Sequence, residues 1–392
     1  MPRAPCPHRF ASCARCSTIN STNTYTILST QARASENTTS QNAIGAKWRV
    51  SPGFRASTEL AKTDSKYDWV NPILDTSTTA ATAYIKTNDG KSPYAQYTGS
   101  GLTDPTKIVL SQFFDRYGYD RGNSTDWRAD ATWTPENDGF FKDVNFGVRA
   151  NKREASSIKS FEGSVPAQNP VTMASIPGLS CTSPAMSSNY GTSGWATPCA
   201  SYLVNNISDI RAAVTGKSVA RDIDPASFFE NTEKNYAGYV TTRVGFDVGG
   251  FPIDGVVGVR VSKTDSTINA NNSTTVTEIE NGVPKERIVY TPTTIKTSGT
   301  EVLPSANFKL AIRKDLLARF AYNKTLTRPN FSQLNPATAY IQPNVTTTPA
   351  TAAGGNPGLK PFTAQNFDTT LEWYFASTGS VSEKFGRVSV LL

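Results

Sequence analysis

Residues Asp126–Ser156 read DWRADATWTPENDGFFKDVNFGVRANKREAS. In an extended chain Trp127, Ala129, Ala131 and Trp133 share one face, and Arg128, Asp130, Thr132 and Thr134 share the other. After a turn at Pro135–Gly139, Val144, Phe146, Val148 and Ala150 alternate with Asn145, Gly147, Arg149 and Asn151. The period is two, not 3.6, so this stretch is two strands of a hairpin, with aromatic residues near the strand ends.

The same unit recurs along the chain. Ala46–Arg49, a turn at Ser51–Gly53 and Phe54–Thr63 form an earlier copy. Tyr236, Val240, Val244, Phe246 and Val248 alternate with polar residues, and the turn Gly249–Gly255 leads into Val257, Val259 and Val261. Phe308, Leu310 and Ile312 precede a turn at Arg313–Asp315, then Leu316, Ala318, Phe320 and Tyr322 follow. A late strand sets Phe367, Leu371, Trp373 and Phe375 against Asp368, Thr370 and Glu372. That makes roughly ten strands, with connections of about 3–7 residues at one end and long polar loops at the other. The expected loops are Asp64–Asn123, Ser157–Glu233 and Lys324–Ala364. Short turns on one side and long loops on the other are the pattern of outer-membrane barrels, whose apolar face meets lipid while the polar face lines the lumen. The expected fold is therefore all-β: a partial antiparallel transmembrane β-barrel with short periplasmic turns and long extracellular loops. At about 39 residues per strand, a plugged 22-stranded transporter would need on the order of 860 residues, so about half a barrel is covered.

Composition agrees. The 392 residues are 38 % hydrophobic and 18 % charged, which leaves an excess of Ser, Thr and Asn. Such a mixture excludes a coiled coil and a charge-driven disordered tail. No apolar run approaches the ~18 residues of a membrane-spanning helix, and Met1–Ile19 lacks the apolar core of a signal peptide. Cys6, Cys13 and Cys16 with His8 have spacing that could hold zinc. No helix or strand pattern surrounds them, which favours an unstructured, unassigned leader over residues 1–21 and no metal site. Cys181 and Cys199 enclose Thr182–Pro198 in a Gly/Ser/Pro-rich stretch. A disulfide there is favoured over two free thiols; it would stabilise by ~3 kcal/mol and implies an oxidising compartment.

Catalysis finds no support. His8 is the one histidine, so a Ser or Cys nucleophile elsewhere has no imidazole base. No phosphate-cradling glycine motif stands out, and no cofactor is expected. The net charge of +7 is spread along strands and loops, which argues against nucleic acid. Anionic lipopolysaccharide or an acidic sugar accounts for it. Asp115, Asp120 and Asp126 could surround calcium, although their spacing departs from an EF-hand. Sequons such as Asn123 and Asn344 are expected by chance in so Asn- and Thr-rich a chain.

Two stretches then carry a resemblance: LPSANFKLAIRKDLLARFAYNKTLTRPNFSQLNP (Leu303–Pro336) and GNPGLKPFTAQNFDTTLEWYF (Gly355–Phe375). With GAKWRVSPGF (Gly45–Phe54) and GVVGVRVSKTDST (Gly255–Thr267), they resemble the barrel of TonB-dependent receptors. The likeness is to a proteobacterial branch associated with oligosaccharide uptake and runs from about Thr22 to about Phe375, so residues 22–392 are read as a partial barrel of that family. It implies a receptor in the outer membrane of a Gram-negative bacterium, in contact with lipid and lipopolysaccharide, that imports a small nutrient. It also implies energy from a TonB complex acting through a plug and a short box that find no match here. Residues after Phe375, ASTGSVSEKFGRVSVLL, are not recognised either, so a fragment lacking the plug and the final strands is expected. Within the family the alternative is a siderophore receptor. From another class it is a secreted β protein that binds carbohydrate without a membrane, and third comes a glycan-cleaving enzyme.

The family motif residues Arg328, Pro329, Asn330 and Phe331, with Gly355, Asn356 and Pro357, are expected to be mostly structural, with Arg328 free to bind carbonyls or a carboxylate near the rim. Ligand contacts are expected from loop aromatics, because sugars stack their C–H surfaces on rings. The candidates are Trp69, Tyr84, Tyr94 and Tyr97 in the first long loop, Tyr190 and Trp195 between the cysteines, and Tyr340.

Overall fold

The computed structural model describes residues 18–88, 91–136, 139–168, 170–184, 194–341 and 351–391. In chain order the strands are β1 (Thr18–Gln31), β2 (Ala34–Ser51), β3 (Phe54–Asn88), β4 (Lys91–Thr98), β5 (Val109–Trp133), β6 (Phe141–Lys159), β7 (Val165–Pro166), β8 (Ser180–Pro184) and β9 (Gly194–Pro198). Two helices, α1 (Ala200–Asn205) and α2 (Ile207–Thr215), precede β10 (Phe229–Val248), β11 (Phe251–Glu280), β12 (Val283–Arg313) and β13 (Leu316–Thr327). The last strands are β14 (Thr338–Ile341), β15 (Thr351–Gly354), β16 (Phe362–Ala376) and β17 (Gly379–Leu391). One sheet runs in the order β1-β3-β5-β6-β10-β11-β12-β13-β16-β17, and β8 and β9 form a separate pair. Along that path β1–β3, β6–β10, β10–β11, β11–β12, β12–β13, β13–β16 and β16–β17 are antiparallel pairs. The fold is thus all-β and antiparallel, as expected. No helix among the described residues is long and apolar enough to cross a membrane.

The chain divides into two compact units. One takes the described parts of Met1–Glu36, Tyr67–Tyr119 and Lys159–Asp224; the other takes Asn37–Lys66, Asp120–Ile158 and the described parts of Pro225–Leu392.

The second unit is built from long hairpins. Gly249 and Gly250, with φ of 61° and 84°, make the two-residue turn between β10 and β11. Two positive φ values match the right-handed strand twist, and glycine adopts them without a Cβ clash. Asn281 and Gly282, with φ of 54° and 79°, turn β11 into β12 in the same way. The apolar face of these strands is open: Phe146, Val148, Val240, Val259, Val261, Phe320, Leu371 and Trp373 are all exposed. In a soluble sandwich the same alternation would bury this face against a second sheet. A contiguous apolar surface of this kind marks contact with another apolar phase.

Across the opposite face, Tyr239 of β10 lies over Gly147 of β6 and donates its hydroxyl to Asp130 Oδ1 of β5 at 2.8 Å. A Cβ on Gly147 would stand 2.7 Å from the Tyr239 ring and 2.7 Å from the Ala129 carbonyl oxygen, so only glycine allows the bridge.

The first unit holds the hydrophobic core. Ile108, Leu110 and Phe113 of β5 and its approach pack with Leu74, Met173, Leu179 and Leu203. Ile210 and Val214, one helical turn apart on α2, complete it. Gly216, at φ 72°, ends α2 in the left-handed conformation and its N–H returns to the Ala212 carbonyl. Asp115 pins the helix: Arg211 Nε and Nη2 donate to its two oxygens at 2.7 and 2.9 Å, and the Arg221 N–H adds a third bond at 3.1 Å. A disulfide joins Cys181 at the start of β8 to Cys199, the residue before α1. Tyr117 donates its hydroxyl to the Arg221 carbonyl at 2.5 Å.

Several expectations need correction. Asp64–Asn123 is mostly strand, because its Thr-rich sequence suits an extended backbone without presenting an apolar face. Strands β3, β4 and β5 therefore carry residues expected in that loop, and more than ten strands are present among the described residues. Ser157–Glu233 carries short strands and two helices, and Lys324–Ala364 carries β14, β15 and a 3₁₀ turn at Phe331–Leu334. The turn at Gly249–Gly255 contracts to two glycines, and β1 begins at Thr18, inside the leader set at 1–21. Beyond Phe375, Gly379–Leu391 is a strand paired with β16. Cys6, His8, Cys13 and Cys16 lie outside the described residues.

Candidate ligand cleft

The second unit contains a cleft on the polar face of β5, β6, β10, β11, β12 and β13. One part, about 380 Å3, is lined by Asp126, Arg149, Asn151, Arg153, Glu233, Asn235, Arg260, Ser262, Leu303, Leu326 and Arg328. A second part, about 530 Å3, shares Glu233, Ser262, Leu326 and Arg328 and continues along Thr264, Ser266, Thr297–Glu301 and Pro357–Pro361. Both volumes lie within the ~300–1,000 Å3 range of small-ligand sites.

The alternation of each strand points these side chains one way, and the register sets who meets whom. Glu233 stands opposite Arg153, and Arg153 Nη2 donates to Glu233 Oε1 at 2.5 Å. The Glu233 side chain is only 5 % exposed, so this charge-assisted bond is partly desolvated. Asp126 accepts from Asn151 Nδ2 at 2.5 Å and from Ser124 Oγ at 2.9 Å. A chain of neutral bonds runs along the wall: Ser262 Oγ donates to Asn235 Oδ1 at 3.1 Å, and Asn235 Nδ2 donates to Thr264 Oγ1 at 3.0 Å. Arg328 Nη2 also donates to Thr264 Oγ1, at 2.8 Å. Thr264 thus accepts twice and keeps its own O–H to donate. Behind the wall, Ser266 Oγ donates to Asn231 Oδ1 at 2.7 Å, while the buried Asn231 Nδ2 has no acceptor among the described residues.

Of the motif residues, Arg328, Pro329 and Pro357 line the cleft. Asn330 caps the 3₁₀ turn through a reciprocal pair of bonds with Gln333, and Phe331 lies 5.4 Å beneath the Arg153 guanidinium. The Asn356 N–H reaches the Gln333 carbonyl at 3.0 Å, and a Cβ on Gly355 would sit 2.5 Å from the Asn335 carbonyl oxygen. The two motif stretches therefore knot together through backbone contacts. Arg328 meets a hydroxyl here, not a carbonyl or a carboxylate.

The aromatic candidates lie elsewhere. Trp69 packs over Gly118 and under Arg33, whose guanidinium is 5.4 Å from the ring. Tyr84 and Tyr94 meet edge to face at 6.2 Å. Tyr97 is on β4 and Trp195 on β9; all five belong to the first unit. Tyr340 is an exposed β14 residue of the second unit outside the cleft lining, and Tyr190 lies outside the described residues. Asp115 is committed to Arg211, and among the described residues no cluster of His, Cys, Asp or Glu is set to hold a metal ion. The cleft residues that sequence reasoning missed are Arg149, Arg153, Glu233, Asn235, Arg260 and Ser262. Their signal is the polar half of each alternating strand.

A family model described as TonB dependent receptor-like, beta-barrel, matches residues 53–382. The chain belongs to that family. Among solved structures, the TonB-dependent receptor chain is similar to the ferric-catecholate import receptor Fiu of E. coli K12, at 11 % identity and a TM-score of 0.43, over 86 % of this chain and 41 % of that one. It is also similar to the ferric yersiniabactin uptake receptor FyuA of Yersinia pestis (8 %, TM-score 0.35, covering 90 % and 45 %) and to the copper transporter OprC (10 %, 0.34, 89 % and 45 %). The chain spans about half the length of these structures. No curated protein matches it.

Proposed function

We propose that this TonB-dependent receptor chain works in the outer membrane of a Gram-negative bacterium, binding an oligosaccharide for TonB-energised uptake. The observation that carries the ligand reading is the cleft wall. Ser262, Asn235, Thr264 and Ser266 present alternating donors and acceptors on rigid strands, the chemistry that matches a polyhydroxylated surface. The exposed apolar face would meet lipid, with lipopolysaccharide at its outer margin. No catalytic step enters this reading; the cleft binds and releases its ligand. A second reading is favoured by Arg149 and Arg260, which suit an anionic iron chelate such as a ferric siderophore.

Calorimetry on the detergent-solubilised chain tests both. A neutral oligosaccharide series should give saturable binding that weakens when Asn235→Ala removes the central link of the wall. Binding of ferric siderophores with no response to any oligosaccharide refutes the first reading in favour of the second. Full solubility without detergent would refute the membrane placement.

A further inference from the structure

We infer that the arginine end of the cleft is a carboxylate subsite, so that the ligand is an acidic oligosaccharide; this rests on the uptake reading above. Four arginines, Arg149, Arg153, Arg260 and Arg328, face the cleft against two carboxylates, Asp126 and Glu233. Arg153 is used by Glu233, and Arg328 by Thr264. Arg149 and Arg260 have no hydrogen bond or ion pair among the described residues, although both line the cleft.

Their placement is set by register. Arg149 on β6 stands opposite Ala237 of β10, while Arg260 on β11 stands opposite Tyr239, two residues further along β10. The two guanidinium groups therefore approach the same short segment of β10 from opposite sides. Ala237 contributes only a methyl group there, and Tyr239 is held down by its bond to Asp130. A guanidinium fork matches a carboxylate through two parallel N–H···O bonds. An anion that meets both gains charge-assisted hydrogen bonds that neither arginine makes among the described residues. Beyond them Ser262 and Thr264 add hydroxyls, and the carboxylates on that stretch are already paired, Glu233 with Arg153 and Glu301 with Lys324. One charged end followed by hydroxyl-matching side chains describes a sugar acid joined to further sugar units.

The experiment compares tetragalacturonic acid, its full methyl ester and ferric citrate on the detergent-solubilised chain. At low salt the acid should bind at least about tenfold tighter than the ester, the size of one charged hydrogen bond. R149Q/R260Q should remove that advantage, so that acid and ester bind this variant within about twofold of each other. R149K/R260K should keep part of it, because the charge survives without the fork. Equal affinity of acid and ester for the unaltered chain overturns the carboxylate subsite while leaving oligosaccharide uptake intact, and so does an advantage that persists in R149Q/R260Q. Arginine-dependent binding of ferric citrate with no binding of either saccharide overturns the acidic sugar and the oligosaccharide reading together, and assigns the same subsite to an iron chelate.

Discussion

Asp115→Ala should loosen the first unit while leaving the second intact. The Asp115 side chain is 5 % exposed and the Arg211 side chain 13 %, so both charges are largely out of water. Removing the carboxylate strands the Arg211 guanidinium and also takes the acceptor from the Arg221 N–H. Breaking one partner of a buried pair costs ~3–5 kcal/mol, whereas replacing both partners by apolar groups of similar size is often neutral. The double variant Asp115→Leu/Arg211→Met should therefore recover most of the loss, apart from the Arg221 bond at about 1 kcal/mol. Hydrogen exchange resolves this by region. Amides of α2 should exchange roughly 100- to 5,000-fold faster in Asp115→Ala, close to unchanged rates should return in the double variant, and β11 and β12 should not respond. If the single and double variants lose equally, the pair does not act through a stranded charge. If the single variant costs under about 1 kcal/mol, Arg211 swings out to water and behaves as a surface cation.

Three further outcomes follow from particular contacts. Gly147→Val should displace the Tyr239 ring and break its bond to Asp130, costing about 2–4 kcal/mol from overpacking and the lost bond; Tyr239→Phe should cost only about 1 kcal/mol, and unfolding midpoints in detergent compare the two. Reducing the Cys181–Cys199 bond, or replacing both by serine, should lower the stability of the first unit by ~3 kcal/mol, read as earlier proteolysis around α1 and α2 under otherwise native conditions. At the tip of the β11–β12 hairpin, the Arg287 guanidinium, by hydrogen bond and then by charge, holds the Glu278 carboxyl below its ordinary 4.5. A depressed carboxylate stabilises above its unfolded value and loses that contribution as pH falls through its folded value, so the protection of the tip amides should hold between pH 7 and 5 and fall only below the ordinary 4.5.

Where apolar and polar residues alternate, strands are legible in the chain itself: β5, β6, β10 and β16 follow the faces read from Trp127, Phe146, Val240 and Phe367. Where both faces are polar, that signal vanishes. Thr76, Thr78 and Thr82 sit in β3, yet nothing in their composition separates a Thr-rich strand from a Thr-rich loop. The hairpin at Asn281–Gly282 is a different case. Asn-Gly is a local turn signal, because both residues tolerate positive φ, and it places β11 and β12 across a stretch whose hydrophobic pattern alone says little.

The cleft is harder to see for a reason of geometry. Aromatic residues in polar stretches are conspicuous one at a time, so Trp69 and Tyr84 stand out, but their rings are spent on Gly118 and Tyr94. A site on the face of a sheet is distributed over several strands. Arg149 and Arg260 lie more than a hundred positions apart in the chain and become neighbours only because β10 pairs with β6 on one side and β11 on the other. A slip of one residue in either ladder would turn one of them to the apolar face. Register is fixed by the turns that begin each hairpin, above all Gly249–Gly250 between β10 and β11. Lengthening that turn by one residue should therefore disturb the cleft some ten residues away, a coupling that alanine substitution at the arginines themselves cannot mimic.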